Sequence, residues 1–259
     1  MTRKQLTIMA VHAHPDDEAI STGGVLARYV DEGIRTVLVT CTGGELGEIA
    51  DSSLAQPENL AEVRLRELEE ACAILRLSQL HLLGYRDSGM AGAPENEHPE
   101  SFHQAELEEA TGRLVKLIRR EQPEIIITYD EQGFYGHPDH IKANVITLAA
   151  WDAAGDPSRY PDYGLEAWSP LKLYYTAGPH AGVRAFAEKF REAGLEPPFG
   201  ETEPSFGVPD EAITASIDVS RWVKDKHAAL MAHKTQMGAN VFFAQMPPEL
   251  FYQLFGTEA

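Results

Sequence analysis

Twice in this chain a short apolar run ends in a His-Pro-Asp turn and passes into a helix-like pattern. Residues 6–11 lead into Ala13-His14-Pro15-Asp16-Asp17-Glu18, and residues 125–128 lead into Gly136-His137-Pro138-Asp139-His140. Runs this short and this apolar read as strands buried on both faces. A proline after the turn suits the first helical position, where its missing N–H costs nothing. A strand, a crossover helix and a parallel strand then join with a right-handed connection. The repeated unit therefore confines the chain to an α/β fold with a mostly parallel sheet and helices on both faces, Rossmann-like and doubly wound.

The remaining pattern fills this frame. Further strands are predicted at 36–41, 80–83 and 171–176, with the strand before the second turn at 124–129. The first helix is expected to start at Pro15, carry Asp16, Asp17 and Glu18 in its first turn, and end at Gly33. Other helices are expected at 57–75, 104–120 (Leu107, Leu114, Leu117 and Ile118 inward), 138–151 and 183–193. A last long helix, capped by Ser220, should run to Gln236. Residues 213–219 alternate like an edge or antiparallel strand. The aromatic tail 241–255 should pack on the body or on a partner. Residues 91–101, 152–170 and 194–209 read as loops. We expect one domain, 1–259, with a core at 1–176 and irregular C-terminal additions at 177–259 that complete the pocket.

In the strand order 3-2-1-4-5, strands 1 and 4 are neighbours and the order reverses between them. Such a switch point binds ligands beyond the carboxyl ends of the strands. Both His-Pro turns follow those two strands, so fold and chemistry point to one place. Histidine nitrogen and carboxylate oxygen are the ligands of catalytic zinc, which needs three protein donors and an open position. His14 with one of the tandem aspartates would give two donors, and one histidine of the second turn the third. A carboxylate and a histidine are left over for proton transfer and charge stabilisation.

Composition narrows the partners. The 259 residues include 22 basic and 40 acidic side chains, for a formal net charge of −18. That balance argues against nucleic acid and anionic membrane. The charged residues 3–4 precede a run that ends in His12-Ala13-His14, a strand rather than a signal peptide. No run approaches the ~18 apolar residues of a membrane span. Cys41 and Cys72 read as reduced core thiols of a cytoplasmic protein. The glycine-rich stretch 42–48 lacks the GxGxxG of a dinucleotide site.

With these residues in view, the chain resembles the LmbE-like deacetylases, the superfamily of N-acetylglucosaminyl-phosphatidylinositol deacetylases. The resemblance rests on Ala13-His14-Pro15-Asp16-Asp17-Glu18, Thr42-Gly43-Gly44-Glu45, Arg64-Leu65-Arg66-Glu67-Leu68, Arg86-Asp87-Ser88-Gly89-Met90 and Tyr135-Gly136-His137-Pro138-Asp139-His140. Ala232-His233-Lys234-Thr235-Gln236 matches more loosely, and His233 is read as a rim residue. The wording is nearest to the mycothiol-pathway branch of deacetylases and conjugate amidases. The resemblance implies zinc held by His14, Asp17 and His140, with Fe(II) or another divalent metal also suited to the donor set. It implies Asp16 as the base, and His137 as oxyanion donor and acid with Asp139 behind its ring. Tyr135 would polarise the carbonyl, and Arg64 and Asp87 would bind sugar hydroxyls. The expected activity is hydrolysis of the acetyl amide of an N-acetylglucosamine-containing small molecule. The rivals are an amidase of mycothiol-like thiol conjugates and a non-catalytic metal- or sugar-binding module. Ser21, where the conjugate amidases carry lysine, leans toward the deacetylase. A homo-oligomer is left open.

Overall fold

A computed structural model of the chain describes residues 5–197, 207–238 and 241–259. Residues 1–4 of the N-terminal stretch and 198–206 of the 194–209 connection lie outside them. Five parallel strands form the central sheet in the order β3-β2-β1-β4-β5: β1 Thr7–His12, β2 Arg35–Thr42, β3 Gln79–Tyr85, β4 Ile125–Tyr129 and β5 Lys172–Thr176. The strand order is the one expected, and β1 and β4 are paired.

Alternate side chains of β1 feed two cores. Met9 and Val11 join Val37, Val39 and Ile126 beneath α3 (Leu107–Glu121) and α5 (Pro138–Ala154), the helix after the one-turn α4 (Gly133–Gly136). Ile8 and Ala10 join Leu26, Leu38 and Leu68 on the opposite face, under α1 (Gly23–Asp31) and α2 (Leu60–Leu75). Both faces of β1 are thus dry, which is why its residues read as one apolar run.

The C-terminal part adds α6 (His180–Glu192), α7 (Val223–Ala232), α8 (Phe242–Gln245) and α9 (Pro248–Leu254). Phe190, Leu230, Phe243 and Phe251 pack there with Ala27, Ala71 and Leu75 of α1 and α2. The aromatic tail packs on the body of its own chain. Buried Arg119 binds the carbonyls of Ala153, Ala154, Asp156, Arg159 and Tyr160 and so closes the C-terminal end of α5. The last carbonyls of a helix lack the N–H partners of its interior, and a cation is favourable there.

Several local expectations are corrected. Leu107 is 44% exposed, because α3 starts at that residue and its first turn overhangs the core. Ser220 caps nothing: its N–H donates to Asp218, and α7 begins after Trp222. That helix stops at Ala232 rather than Gln236. The alternating stretch 213–219 forms only β6 (Ile217–Asp218), antiparallel to β7 (Thr257–Glu258). The first helix does not start at Pro15. A π-helical turn, Glu18–Thr22, precedes α1, and Asp16 lies outside both with φ +106°.

Candidate metal and active site

The ends of two neighbouring strands pin the first His-Pro turn. The Ala13 N–H donates to the Tyr129 hydroxyl at the end of β4 (2.8 Å), and the Ala13 carbonyl accepts from the Thr42 N–H at the end of β2 (2.9 Å). The Tyr129 hydroxyl in turn donates to Asp17 Oδ2 (2.7 Å), which also accepts the His14 N–H (2.8 Å). The direction in which Asp17 points is therefore settled by two donors from the turn and the adjacent strand.

The second turn enters α5 regularly. His137 is the N-cap, its Nδ1 accepting the Asp139 N–H (3.1 Å), and Pro138 follows it. His140 lies on the first turn with its ring stacked on Tyr129, centroids 4.1 Å apart. Its Nδ1 faces the Gly133 carbonyl at 3.2 Å. A carbonyl only accepts, so the ring proton sits on Nδ1 and the Nε2 lone pair is free. Gly133 (φ +62°) is required for this approach, since a Cβ there would stand 2.7 Å from His140 Cβ.

The same logic fixes His14. Its Nε2 faces Asp139 Oδ2 at 3.2 Å and Asp87 Oδ1 at 3.7 Å, so the proton belongs on Nε2. His14 Nδ1 and His140 Nε2 then face each other at 3.3 Å, a spacing that calls for a proton or a cation between them. Asp17 completes the triangle, Oδ2 3.3 Å from His14 Nδ1 and Oδ1 3.4 Å from His140 Nε2. Tetrahedral donors about 2.0–2.1 Å from one ion are spaced by roughly 3.3 Å. The His14, Asp17 and His140 donors therefore fit a single divalent ion. Other clusters share His14: its ring nitrogens lie within 4.8 Å of donors on His137 and His140, and on Asp87 and Asp139. The first uses a ring whose Nδ1 already accepts a backbone N–H, and the second faces the protonated edge of His14. The triangle with Asp17 has neither conflict.

The cage is negative. Burial disfavours a charged His14 ring, but Asp139, Asp17 and Asp87 outweigh it and hold its pKa well above the usual value. Burial likewise opposes an ionised Asp17, and His140 and His14 overcome it, keeping that carboxyl well below its usual range. The arrangement calls for positive charge between its members, as a proton or as a metal ion. His137 behaves differently. Burial, then His14 and His140, lower its pKa to about 4, so its ring is neutral near pH 7.

Asp16 stands beside this triangle. Burial raises its pKa to about 6, with Arg64 pulling down and Asp17 pushing up. Its positive φ costs a residue with a side chain on the order of 1–3 kcal/mol, which the surroundings must offset. The Asp16 N–H donates to Glu18 Oε2 (3.0 Å), its carbonyl accepts from Ala19 and Ile20, and Arg64 Nη2 lies 3.2 Å from Oδ2. Arg64 is buried on α2 and also binds the carbonyls of Pro15 and Gly44. Gly44 (φ +65°) is the price of that contact, since a Cβ would come within 2.2 Å of the Arg64 guanidinium.

All nine expected site residues therefore gather at the mouth between β1 and β4, with some duties changed. Asp139 does not stand behind His137. Its backbone N–H caps that ring, while its carboxylate turns to His14 and to Ser88, which donates through both N–H and hydroxyl. Arg64 and Asp87 are committed to protein partners, Asp87 accepting from Leu46 and Gly89. Tyr135 is 51% exposed at the lip, its ring 5.1 Å from that of His140. His233 is fully buried against Glu18 (2.8 Å), not on the rim. Tyr129 and Ser88 were missed. Each had a signal, a polar tip on the last residue of a buried strand and a hydroxyl inside a quoted motif.

Residues 9–151 match the family model described as PIG-L: GlcNAc-PI de-N-acetylase. The chain is 42% identical to a 1D-myo-inositol 2-acetamido-2-deoxy-alpha-D-glucopyranoside deacetylase of Thermomonospora curvata, covering 97% of this chain and 88% of that one. The protein of the same name from Thermobispora bispora is 44% identical, over 89% of this chain and 79% of the relative. The N,N'-diacetylchitobiose deacetylase of Pyrococcus horikoshii shares the fold, with TM-score 0.68, 20% identity, and coverage of 97% and 77% of the two chains.

Proposed function

We propose that this chain, which belongs to the PIG-L family of GlcNAc-PI de-N-acetylases, is a metal-dependent deacetylase. It would hydrolyse the acetamide of an N-acetylglucosamine unit in a small-molecule glycoside and release acetate and a free amine. The carrying observation is the His14 Nδ1 to His140 Nε2 approach at 3.3 Å, with the Asp17 carboxylate alongside both nitrogens. His14, Asp17 and His140 would hold the ion. Zinc suits two imidazoles and a carboxylate best, with Fe(II) second. When bound it would supply Lewis-acid polarisation of the carbonyl and a more acidic water.

The chain's own residues do the rest. Asp16, oriented by Arg64, takes the proton of the attacking water. His137, neutral and with Nδ1 engaged, offers its Nε2–H to the developing oxyanion. A neutral imidazole is a poor acid, so protonation of the leaving nitrogen falls to Asp16, which has just gained a proton. Tyr135 is available as a second donor at the open side. Asp139 and Ser88 keep the His14 proton on Nε2. Arg64 and Asp87, expected to bind sugar hydroxyls, act mainly on the site itself. The C-terminal part, 177–259, completes the same site, a reading supported by the His233–Glu18 contact.

The names of the relatives suggest a substrate in which the amino sugar is joined to inositol. The test is amine release from a panel of N-acetylglucosaminides, the inositol glycoside among them, with metal content measured on the same samples. Activity on the panel with about one ion per chain supports the proposal. Metal binding without turnover on any acetamide would overturn it.

A further inference from the structure

The strained backbone of Asp16 has a brace that reaches it from the far end of the chain. Glu18 is fully buried and spends its carboxylate on two partners: Oε2 accepts the Asp16 N–H (3.0 Å), and Oε1 faces His233 Nε2 (2.8 Å). His233 follows α7 directly, 215 residues from Glu18, and is itself fully buried. The turn that carries it is fastened to α2. Thr235 donates through N–H (2.8 Å) and hydroxyl (2.6 Å) to Glu67, which lies three residues beyond Arg64 on the same helix. Gln236 donates to the carbonyl of Glu48 in the glycine-rich loop. Residues 233–236 thus connect the helix that carries Arg64 with the side chain that holds the Asp16 amide.

We propose that Glu18 and His233 are positioning residues for Asp16: the His233–Glu18 pair holds the Asp16 N–H and so keeps its carboxylate turned toward the reacting water and away from Asp17. The inference rests on the assignment of Asp16 as the base. Neither residue belongs to the His14–Asp17–His140 triangle. Asp17 has its own supports in the His14 N–H and the Tyr129 hydroxyl, so loosening the brace moves the base and spares the metal triangle.

The test uses the full chain loaded with zinc. His233→Ala, Glu18→Ala and Glu18→Gln are compared with wild type, each alone and combined with Asp16→Asn. We expect the two alanine variants to lose about ten- to a hundredfold in kcat, with KM and zinc content unchanged. Glu18→Gln keeps an acceptor for the Asp16 N–H and should stay within about threefold of wild type. In the Asp16→Asn background the same changes should cost nothing further, because residues that act as a unit are not additive. Full multiplicative losses in that background would overturn the proposal, as would loss of zinc in parallel with kcat, or a Glu18→Gln as poor as Glu18→Ala. An active Asp16→Asn enzyme would instead sink the assignment of the base, a distinguishable result.

Discussion

The two His-Pro-Asp turns share their wording but not their physics. The second is a regular helix entry, with a capping ring at His137, Pro138 at the first position and Asp139 already helical. The first is distorted: Asp16 takes φ +106°, Asp17 opens a π-helical turn, and an α-helix begins only at Gly23. The aspartate after proline is therefore a different tool in each. In the second turn it lies flat in a helix and braces His14 from behind. In the first it is swung out of the helix, beside the His14–Asp17–His140 triangle rather than within it. Strain is concentrated where a group must be held away from its neighbour, and the regular turn supplies the rigid half of the cage.

The largest effect should come from dissolving the partnership between the turns. His14→Ala and His140→Ala each remove a donor of one triangle, so both should release the ion and lower turnover by at least about a thousandfold, several kcal/mol of transition-state stabilisation. Metal content per folded chain checks this. Retention of the ion by either variant would mean that the turns do not share it. The next comparison is Asp16→Asn against Asp139→Asn. The first should keep its metal and lose about 10²- to 10⁴-fold in kcat. The second should weaken metal affinity about ten- to a hundredfold, because the amide has one uncharged acceptor oxygen where the carboxylate has two, and His14 must compete with Ser88 for it. Equal metal loss in both would erase the distinction between the turns.

What the sequence disclosed follows the same division. The order β3-β2-β1-β4-β5 and the meeting of the turns were legible because apolar runs, crossover handedness and the switch-point rule are local or nearly so. His137 and His140 were legible as a pair because α5 is regular and their spacing has one meaning. The left-handed Asp16 was not legible, since a proline followed by three acids looks like an ordinary helix start. Neither was His233, whose partner lies 215 residues away. Asp139 was assigned to the nearer ring, and only the packing of Ser88 against α5 turns it to His14. Ser220 fits the local rule for a cap, but α7 begins only after Trp222, which leaves Ser220 two residues short of the cap position.

A pH profile sharpens the contrast at smaller scale. As the proposed base, Asp16 would have to be unprotonated, so kcat/KM should rise with pH through its pKa. Burial puts that pKa at about 6. A divalent cation alongside favours the carboxylate, so the limb in the loaded enzyme should lie below that value, falling tenfold per unit on its acid side. Asp16→Asn should abolish the limb. His137, lowered to about 4, should add no second inflection near neutrality. An inflection between pH 6 and 7 that survives Asp16→Asn would assign the titration to another group.

The smallest effect isolates the backbone itself. Asp16→Gly and Asp16→Ala remove the same carboxylate and the same Arg64 contact, so their difference in stability reports only on φ. Glycine adopts φ +106° without steric cost, whereas alanine does not. Asp16→Gly should therefore be the more stable of the two by about 1 kcal/mol in chemical denaturation. At Asp139 the sign should invert. There the backbone is helical, and glycine is the worse residue by roughly 0.5–1 kcal/mol. Both pairs sit after the same His-Pro dipeptide, so opposite signs can come only from the conformations of the two turns. Equal signs would mean that Asp16 is not held in the left-handed region in solution, and the brace formed by Glu18 would have nothing to hold.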